Sequence, residues 1–301
     1  MSADVVPGPT PAQWVAGARP RTLPAALAPV VAASGIAVTQ GGFSWSAALL
    51  CLVVSLALQV GVNYANDYSD GIRGTDADRV GPMRLVGSGV ARPGAVKTAA
   101  FASFGVAALA GLVLVVATQH WWLLAVGAAC VLAAWFYTGG KRPYGYLGLG
   151  ELFVFVFFGL VAVCGTVYVQ TGRVGAAAVL TAVGVGALAC AILVANNLRD
   201  IRGDTLVGKR TLATRLGDAG TRIFYLILVL LAAVMIIGAA ALTSWWALLG
   251  LVGLTLIIPA VRVVRSGGVG RDLITVLKAT GTAELASAVT FTLGLVLATL
   301  R

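Results

Sequence analysis

Charge is what this chain lacks. Only 11% of its 301 residues are charged, against about 25% in an ordinary soluble domain. The mean hydropathy is +0.95. This excludes a soluble domain, and also a soluble domain with a single anchor. Cysteine is sparse and unpatterned. Cys51, Cys130, Cys164 and Cys190 are scattered through apolar runs without metal-ligand spacing, so they read as small buried hydrophobes and no disulfide is expected. His120 is the only histidine and falls at a break between apolar segments, an interfacial position. A signal peptide is not expected, because residues 1–18 are neither basic nor continuously apolar. The formal net charge of +10 is spread over several loops and does not point to nucleic acid.

What the chain has is hydrocarbon. A bilayer span needs about 20 apolar residues. Nine segments qualify, roughly 23–40, 46–66, 96–118, 121–138, 149–170, 174–195, 222–242, 245–264 and 278–300. The pairs Trp121–Trp122 and Trp245–Trp246 mark two of the breaks, as interfacial aromatics do. All lysines and arginines except Arg173 and Arg301 fall at or beside the N-terminus and the loops 67–95, 139–148, 196–221 and 265–277. The positive-inside rule puts that side in the cytoplasm and the C-terminus outside. The expected fold is an all-α integral membrane protein of about nine transmembrane helices, a single polytopic domain over 1–301. Loops 67–95, 139–148 and 196–221 are its only candidates for a cytoplasmic cap.

Acid is concentrated where a membrane protein would avoid it. One stretch reads Asn66, Asp67, Asp70, Arg73, Gly74, Asp76, and a second reads Asn196, Asp200, Arg202, Gly203, Asp204. The first closes the second span and the second closes the sixth, with four spans between equivalent points. That spacing predicts two parallel four-helix repeats plus a ninth helix, around a central cavity opening to the cytoplasmic side. Residues three and four apart share a helix face, so each motif can aim two or three oxygen ligands at one point. A lone Asp at mid-bilayer costs about 2.5–3.5 kcal/mol, less near the interface, and clustered carboxylates repel. Hard cations relieve both costs. Mg²⁺ favours one or two carboxylates together with waters and substrate phosphate oxygens. The expected metal set is Asn66, Asp67, Asp70, Asp76, Asp200 and Asp204, with Asp67, Asp70, Asp200 and Asp204 as the catalytic core. Arg73, Arg84, Lys141, Arg202 and Lys209 are candidates for outer diphosphate oxygens or a carboxylate, and Asn196 for substrate contact. In the segment Tyr137–Glu151, Tyr137, Tyr144 and Glu151 are candidates for part of an aromatic-substrate or diphosphate pocket, the alternative being an interfacial aromatic belt with a helix-start Glu. Asp78 reads as solvated, Asp218 as a helix start, and Glu284 as a packing hydrogen bond to a neighbouring helix.

At these residues the chain resembles the intramembrane aromatic prenyltransferases of the UbiA type, with an N-D-x-x-D motif at Asn66–Asp70 and D-x-x-x-D at Asp200–Asp204. The string from Asn66 to Asp76, the glycine-rich 81–89 segment, Ala18–Pro24 and the Tyr137–Glu151 segment resemble the 1,4-dihydroxy-2-naphthoate branch. Gly87 stands where Gln is more usual and Lys141 where Pro is. The resemblance implies a polyprenyl diphosphate with its tail in the bilayer, Mg²⁺ at the aspartates, and ionisation to an allylic cation. That cation alkylates 1,4-dihydroxy-2-naphthoate with loss of the carboxylate, giving a demethylmenaquinol. It also implies residence in the plasma membrane. The alternatives are a prenyltransferase of the same superfamily using 4-hydroxybenzoate or another ring, and an ion-coupled transporter. A CDP-alcohol phosphotransferase lacks support, because Asp70–Gly71 is not followed by Ala-Arg.

Overall fold

The computed structural model describes residues 8–74 and 83–300. Asp76, Asp78 and the start of the glycine-rich segment lie outside the described residues. The described chain is helical throughout, with no strand. In order the helices are α1 (Pro11–Gly17), α2 (Pro24–Thr39), α3 (Trp45–Arg73), α4 (Pro93–Thr118) and α5 (Leu123–Phe136). They continue with α6 (Gly150–Thr171), α7 (Ala176–Leu206), α8 (Leu212–Leu242), α9 (Trp245–Arg265) and α10 (Arg271–Thr299).

Each of the nine expected apolar segments is a helix, but not each is a full span. Seven are long and apolar enough to cross a bilayer. An eighth crossing needs α1 and α2 together, bent by 51° where Arg19 turns left-handed at φ 54 and Pro20 and Pro24 interrupt the backbone. The 14-residue α5 is about 21 Å long, short of a hydrocarbon core of about 30 Å. The cap loops are also shorter than expected. Helix α3 runs on to Arg73 and stops at Gly74, whose φ of 71 only glycine adopts freely. Helix α7 runs to Leu206, and α8 begins at Leu212 behind a Thr211 cap. Residues 66–73 of the first motif and the whole of the second therefore sit on helix, not in loop.

Asp218 starts a helix, as the sequence suggests. Gly217 breaks α8 at φ 70, and Asp218 then pairs with Arg222 one turn on at 2.6 Å. All four cysteines are free.

Between membrane helices, packing and close approach replace the hydrophobic effect. The most extensive contacts are α3 on α4 and α7 on α8, equivalent pairs in the two halves. Helix α6 crosses α7 at two glycines: a Cβ on Gly159 would lie 2.8 Å from the Gly186 Cα. Leu109, Val113, Leu230 and Leu293 face outward, as lipid-contacting positions do. Inside, α3 to α7, with α2 and α10, enclose a cavity of about 830 Å³. Its walls are mostly apolar, Leu112, Leu124, Phe153 and Phe157 among them, and Asn66, Asp70, Asn196, Asp204 and Lys209 line its head.

Candidate active site

Asn66, Asp70, Asn196 and Asp204 line the cavity, the first pair from α3 and the second from α7. Lys209 lies between them, its Nζ 3.9 Å from Asp70 Oδ1 and 3.9 Å from Asp204 Oδ1. The ammonium also sits 4.5 Å above the Tyr146 ring, a cation–π contact. The Tyr146 hydroxyl donates to Asp70 Oδ1 at 2.6 Å. Thr138 donates to Asn66 Oδ1 at 2.8 Å.

The other two core aspartates face elsewhere. Asp67 is fully buried, and its carboxylate accepts the backbone N–H groups of Leu85 (2.8 Å) and Val86 (2.9 Å). It braces Leu85 and Val86 of the glycine-rich segment onto α3 and does not line the cavity. Asp200 is gripped at both oxygens by Arg199, with Nε to Oδ1 at 2.7 Å and Nη2 to Oδ2 at 2.8 Å. The same Nη2 donates to Asn196 Oδ1 at 2.9 Å.

The expected cations divide. Lys209 and Arg84 line the cavity. Lys141 and Arg202 are exposed and stand outside its wall, because one lies at a turn tip and the other on the outer face of α7. Arg73 points its guanidinium at carbonyls, donating to Thr138 O and Gly140 O. It fastens the α5–α6 connection.

Tyr137 and Tyr144 line the cavity. The Tyr144 hydroxyl donates to Ala133 O at 2.8 Å, and its ring stacks on Phe153 at 3.9 Å. Burial pushes that phenol up from its ordinary pKa, so it remains a proton donor. Glu151 is buried in the first turn of α6, outside the cavity wall, and accepts from Asn197 Nδ2 at 2.9 Å. Glu284 departs from expectation. It is fully buried in α10, yet neither oxygen has a hydrogen-bond partner among the described residues, and it borders a separate space of about 30 Å³.

Sequence reasoning missed Arg199 and Tyr146. Arg199 is adjacent to Asp200 in sequence, which on a helix does not place two residues on one face; the long guanidinium folds back along α7. Tyr146 shares its segment with two other tyrosines that look equivalent.

Mg²⁺ is tested by the donor set. Among the described residues no three Asp, Glu, His or Cys side chains converge. The cavity head instead presents hard oxygens in pairs, a carboxylate and an amide from each of α3 and α7. That suits Mg²⁺ completing its shell with water and a substrate's phosphates, and not a resident metal in a protein cage.

An all-helical membrane bundle with paired acidic motifs at the head of an apolar cavity defines an intramembrane enzyme for amphiphilic substrates. The chain belongs to the UbiA prenyltransferase family, whose model matches residues 26–272. It is 57% identical to 1,4-dihydroxy-2-naphthoate octaprenyltransferase of Mycobacterium tuberculosis, over 91% of this chain and 93% of that protein. It is 38% identical to the Escherichia coli protein of the same description, over 83% and 84%. Among solved structures, a UbiA homologue from Aeropyrum pernix K1 aligns with a TM-score of 0.68 at 15% identity, covering 91% of this chain and 98% of the other. One from Archaeoglobus fulgidus, described as bound to GPP and Mg²⁺, aligns with a TM-score of 0.66 at 12% identity, covering 92% and 99%.

Proposed function

We infer that this protein transfers a polyprenyl group from polyprenyl diphosphate to 1,4-dihydroxy-2-naphthoate, with loss of the carboxylate. The products are demethylmenaquinol, diphosphate and carbon dioxide. The carrying observation is the meeting of Asp70 and Asp204, from equivalent helices of the two halves, at the head of one apolar cavity. The 57% identity to the M. tuberculosis octaprenyltransferase over nearly the whole chain supports the acceptor and the class of donor.

The proposed division of labour follows the geometry. Asp70 and Asp204, with the amide oxygens of Asn66 and Asn196, would hold Mg²⁺, and Asp200, off the cavity wall, would support them through Arg199 and Asn196. A Mg²⁺ held by these residues would supply positive charge to the departing diphosphate. Lys209 and Arg84 meet the remaining phosphate charge. Tyr146 orients Asp70 through the 2.6 Å hydrogen bond. Asp67 acts one step back, by fixing the segment that carries Arg84. The apolar walls take the prenyl tail and exclude water, which would otherwise quench an allylic cation. Tyr137 and Tyr144 bound the space for the ring. The motif end faces the cytoplasm of the cell membrane, as the asymmetric placement of lysine and arginine supports.

The test is incorporation of labelled octaprenyl diphosphate into 1,4-dihydroxy-2-naphthoate by purified protein in detergent, with Mg²⁺ and with EDTA. A lipophilic, decarboxylated product should form only with metal. Asp70→Ala should remove it while the protein still inserts and purifies. Metal-dependent product with 4-hydroxybenzoate alone would overturn the acceptor, and substantial product from Asp70→Ala would overturn the metal assignment.

A further inference from the structure

The two halves carry their motifs 130 positions apart, so residues deeper on the same helix faces can be compared directly. On α3 the cavity face runs inward from Asp70 and Asn66 to Asn63 and Gln59, at helical spacings of three and four. The matching positions on α7 are Asp200 and Asn196, then Leu193 and Ala189. Gln59, Asn63, Leu193 and Ala189 all line the cavity. The halves are alike where a diphosphate would bind and unlike one to three turns below. There α3 alone remains polar, about 10–16 Å along the helix from Asp70. A prenyl tail offers nothing polar to meet at that depth. The second substrate does.

The hydrogen bonding shows what kind of group would be met. The bend between α1 and α2 brings Thr22 against α3. Its hydroxyl donates to Arg19 O at 3.0 Å and accepts from Gln59 Nε2 (2.9 Å) and Asn63 Nδ2 (3.0 Å). Asn63 Nδ2 also donates to Ala18 O at 2.8 Å. Gln59 Nε2 makes a second, longer bond to Asn63 Oδ1 at 3.4 Å. The amide donors are thus all engaged within the cluster. What is left is acceptor capacity: Gln59 Oε1 is buried without a partner among the described residues, and Asn63 Oδ1 holds only the long bond. Anchoring the α1–α2 bend to α3 would not need an unsatisfied oxygen, and Gln59 Oε1 is buried directly behind the cavity wall.

We propose that Gln59, Asn63 and Thr22 form the subsite that accepts a phenolic hydroxyl of the aromatic acceptor, making them specificity determinants for a hydroquinone ring. Arg19 lines the same cavity and faces the ring carboxylate. In 1,4-dihydroxy-2-naphthoate the 1-hydroxyl is ortho to the carboxylate and hydrogen-bonds to it internally. The 4-hydroxyl is the free donor and is the one this subsite reads. The proposal rests on the function inferred above.

The experiment gives α3 the residues that α7 carries, Asn63→Leu and Gln59→Ala, with Thr22→Val as the mildest change. Steady-state kinetics are measured on full-length protein in detergent with octaprenyl diphosphate, 1,4-dihydroxy-2-naphthoate and Mg²⁺. Inhibition by 1-hydroxy-2-naphthoate, which lacks the free hydroxyl, is measured alongside. The acceptor KM should rise about tenfold, the loss of one good hydrogen bond, while the donor KM and the inhibition constant of the monohydroxy analogue stay within about twofold. Equal rises in all three constants would mean a merely structural cluster and overturn the proposal, as would an unchanged acceptor KM. If Asn63→Leu fails to fold, Gln59→Ala and Thr22→Val decide by the same criteria. Wild-type protein inactive with this acceptor would overturn the functional reading itself. Active wild type with unshifted variants would overturn the subsite alone.

Discussion

Asp70 and Asp204 share one cation: the Lys209 ammonium is 3.9 Å from a carboxylate oxygen of each. The lysine comes from the short connection between α7 and α8, and it joins the two halves of the molecule at the cavity head. It supplies there the same sign of charge as a divalent metal. Lys209→Met should therefore lower the Mg²⁺ concentration for half-maximal activity by several-fold, because two carboxylates lose a competing partner. The donor KM should rise by about tenfold, as expected for one lost charge-assisted contact. A Mg²⁺ titration at saturating donor reads the first and a donor titration at saturating Mg²⁺ reads the second, and an unchanged Mg²⁺ midpoint would rule out competition at this site.

Asp67 and Asp70 are three residues apart and chemically identical, yet the fold gives them different work. Asp67 caps two backbone N–H groups in a fully buried place. Asp67→Ala should destabilise by about 2–5 kcal/mol, since it leaves both donors unpaired. Asp67→Asn, which keeps one acceptor oxygen, should cost less. Thermal unfolding in detergent orders the variants. Asp70→Asn should leave the melting temperature near wild type and lose activity instead.

Tyr146 makes two separable contacts. Its hydroxyl holds Asp70, and its ring lies under Lys209 at 4.5 Å and beside Arg73 at 5.5 Å. Tyr146→Phe removes the first alone and should lower kcat about tenfold. Tyr146→Ala removes both, and its further loss should appear in the donor KM as Lys209 gains freedom. Equal kinetics for the two variants would assign the whole effect to the hydroxyl.

The spans and the two motifs were legible from the sequence because apolar length and i, i+4 spacing are local properties. The extents were less so: α3 and α7 run past the hydrocarbon limit because their motifs are buried against other helices, which hydropathy does not register. The division of the cations was not legible at all. Lys141, Arg202 and Lys209 are each a basic residue in or beside a glycine-containing connection, and only tertiary placement sets Lys209 at the cavity and the other two outside it. The same holds for Arg199 and Arg202, two guanidiniums flanking one aspartate.

That pair yields its own test. Arg199 holds both oxygens of Asp200 and one of Asn196 with its side chain 4% exposed, whereas Arg202 is exposed. Arg199→Ala should leave a buried carboxylate without its guanidinium and reduce activity by about 10²-fold or more. Arg202→Ala should stay within about twofold, as surface changes do. Reversal of that order would return Arg202 to the substrate site.

The α6–α7 crossing fixes how the second motif meets the cavity, and it depends on the absence of side chains. A Cβ on Gly159 would come 2.7 Å from Ala182 O and 2.8 Å from the Gly186 Cα, backbone atoms that have no rotamer to yield. Gly165 lies on the same helix, and a Cβ there meets nothing within 4 Å. Gly159→Ala should therefore cost about 1–3 kcal/mol by overpacking, while Gly165→Ala should be neutral or slightly stabilising. Because α7 also carries Asn196, Asn197 and Asp204, the displacement at Gly159 should reach the chemistry. Activity measured well below the melting temperature should fall for Gly159→Ala and not for Gly165→Ala. A Gly159→Ala enzyme that is less stable yet fully active would separate the crossing from the site and show that α7 can shift outward without moving its motif.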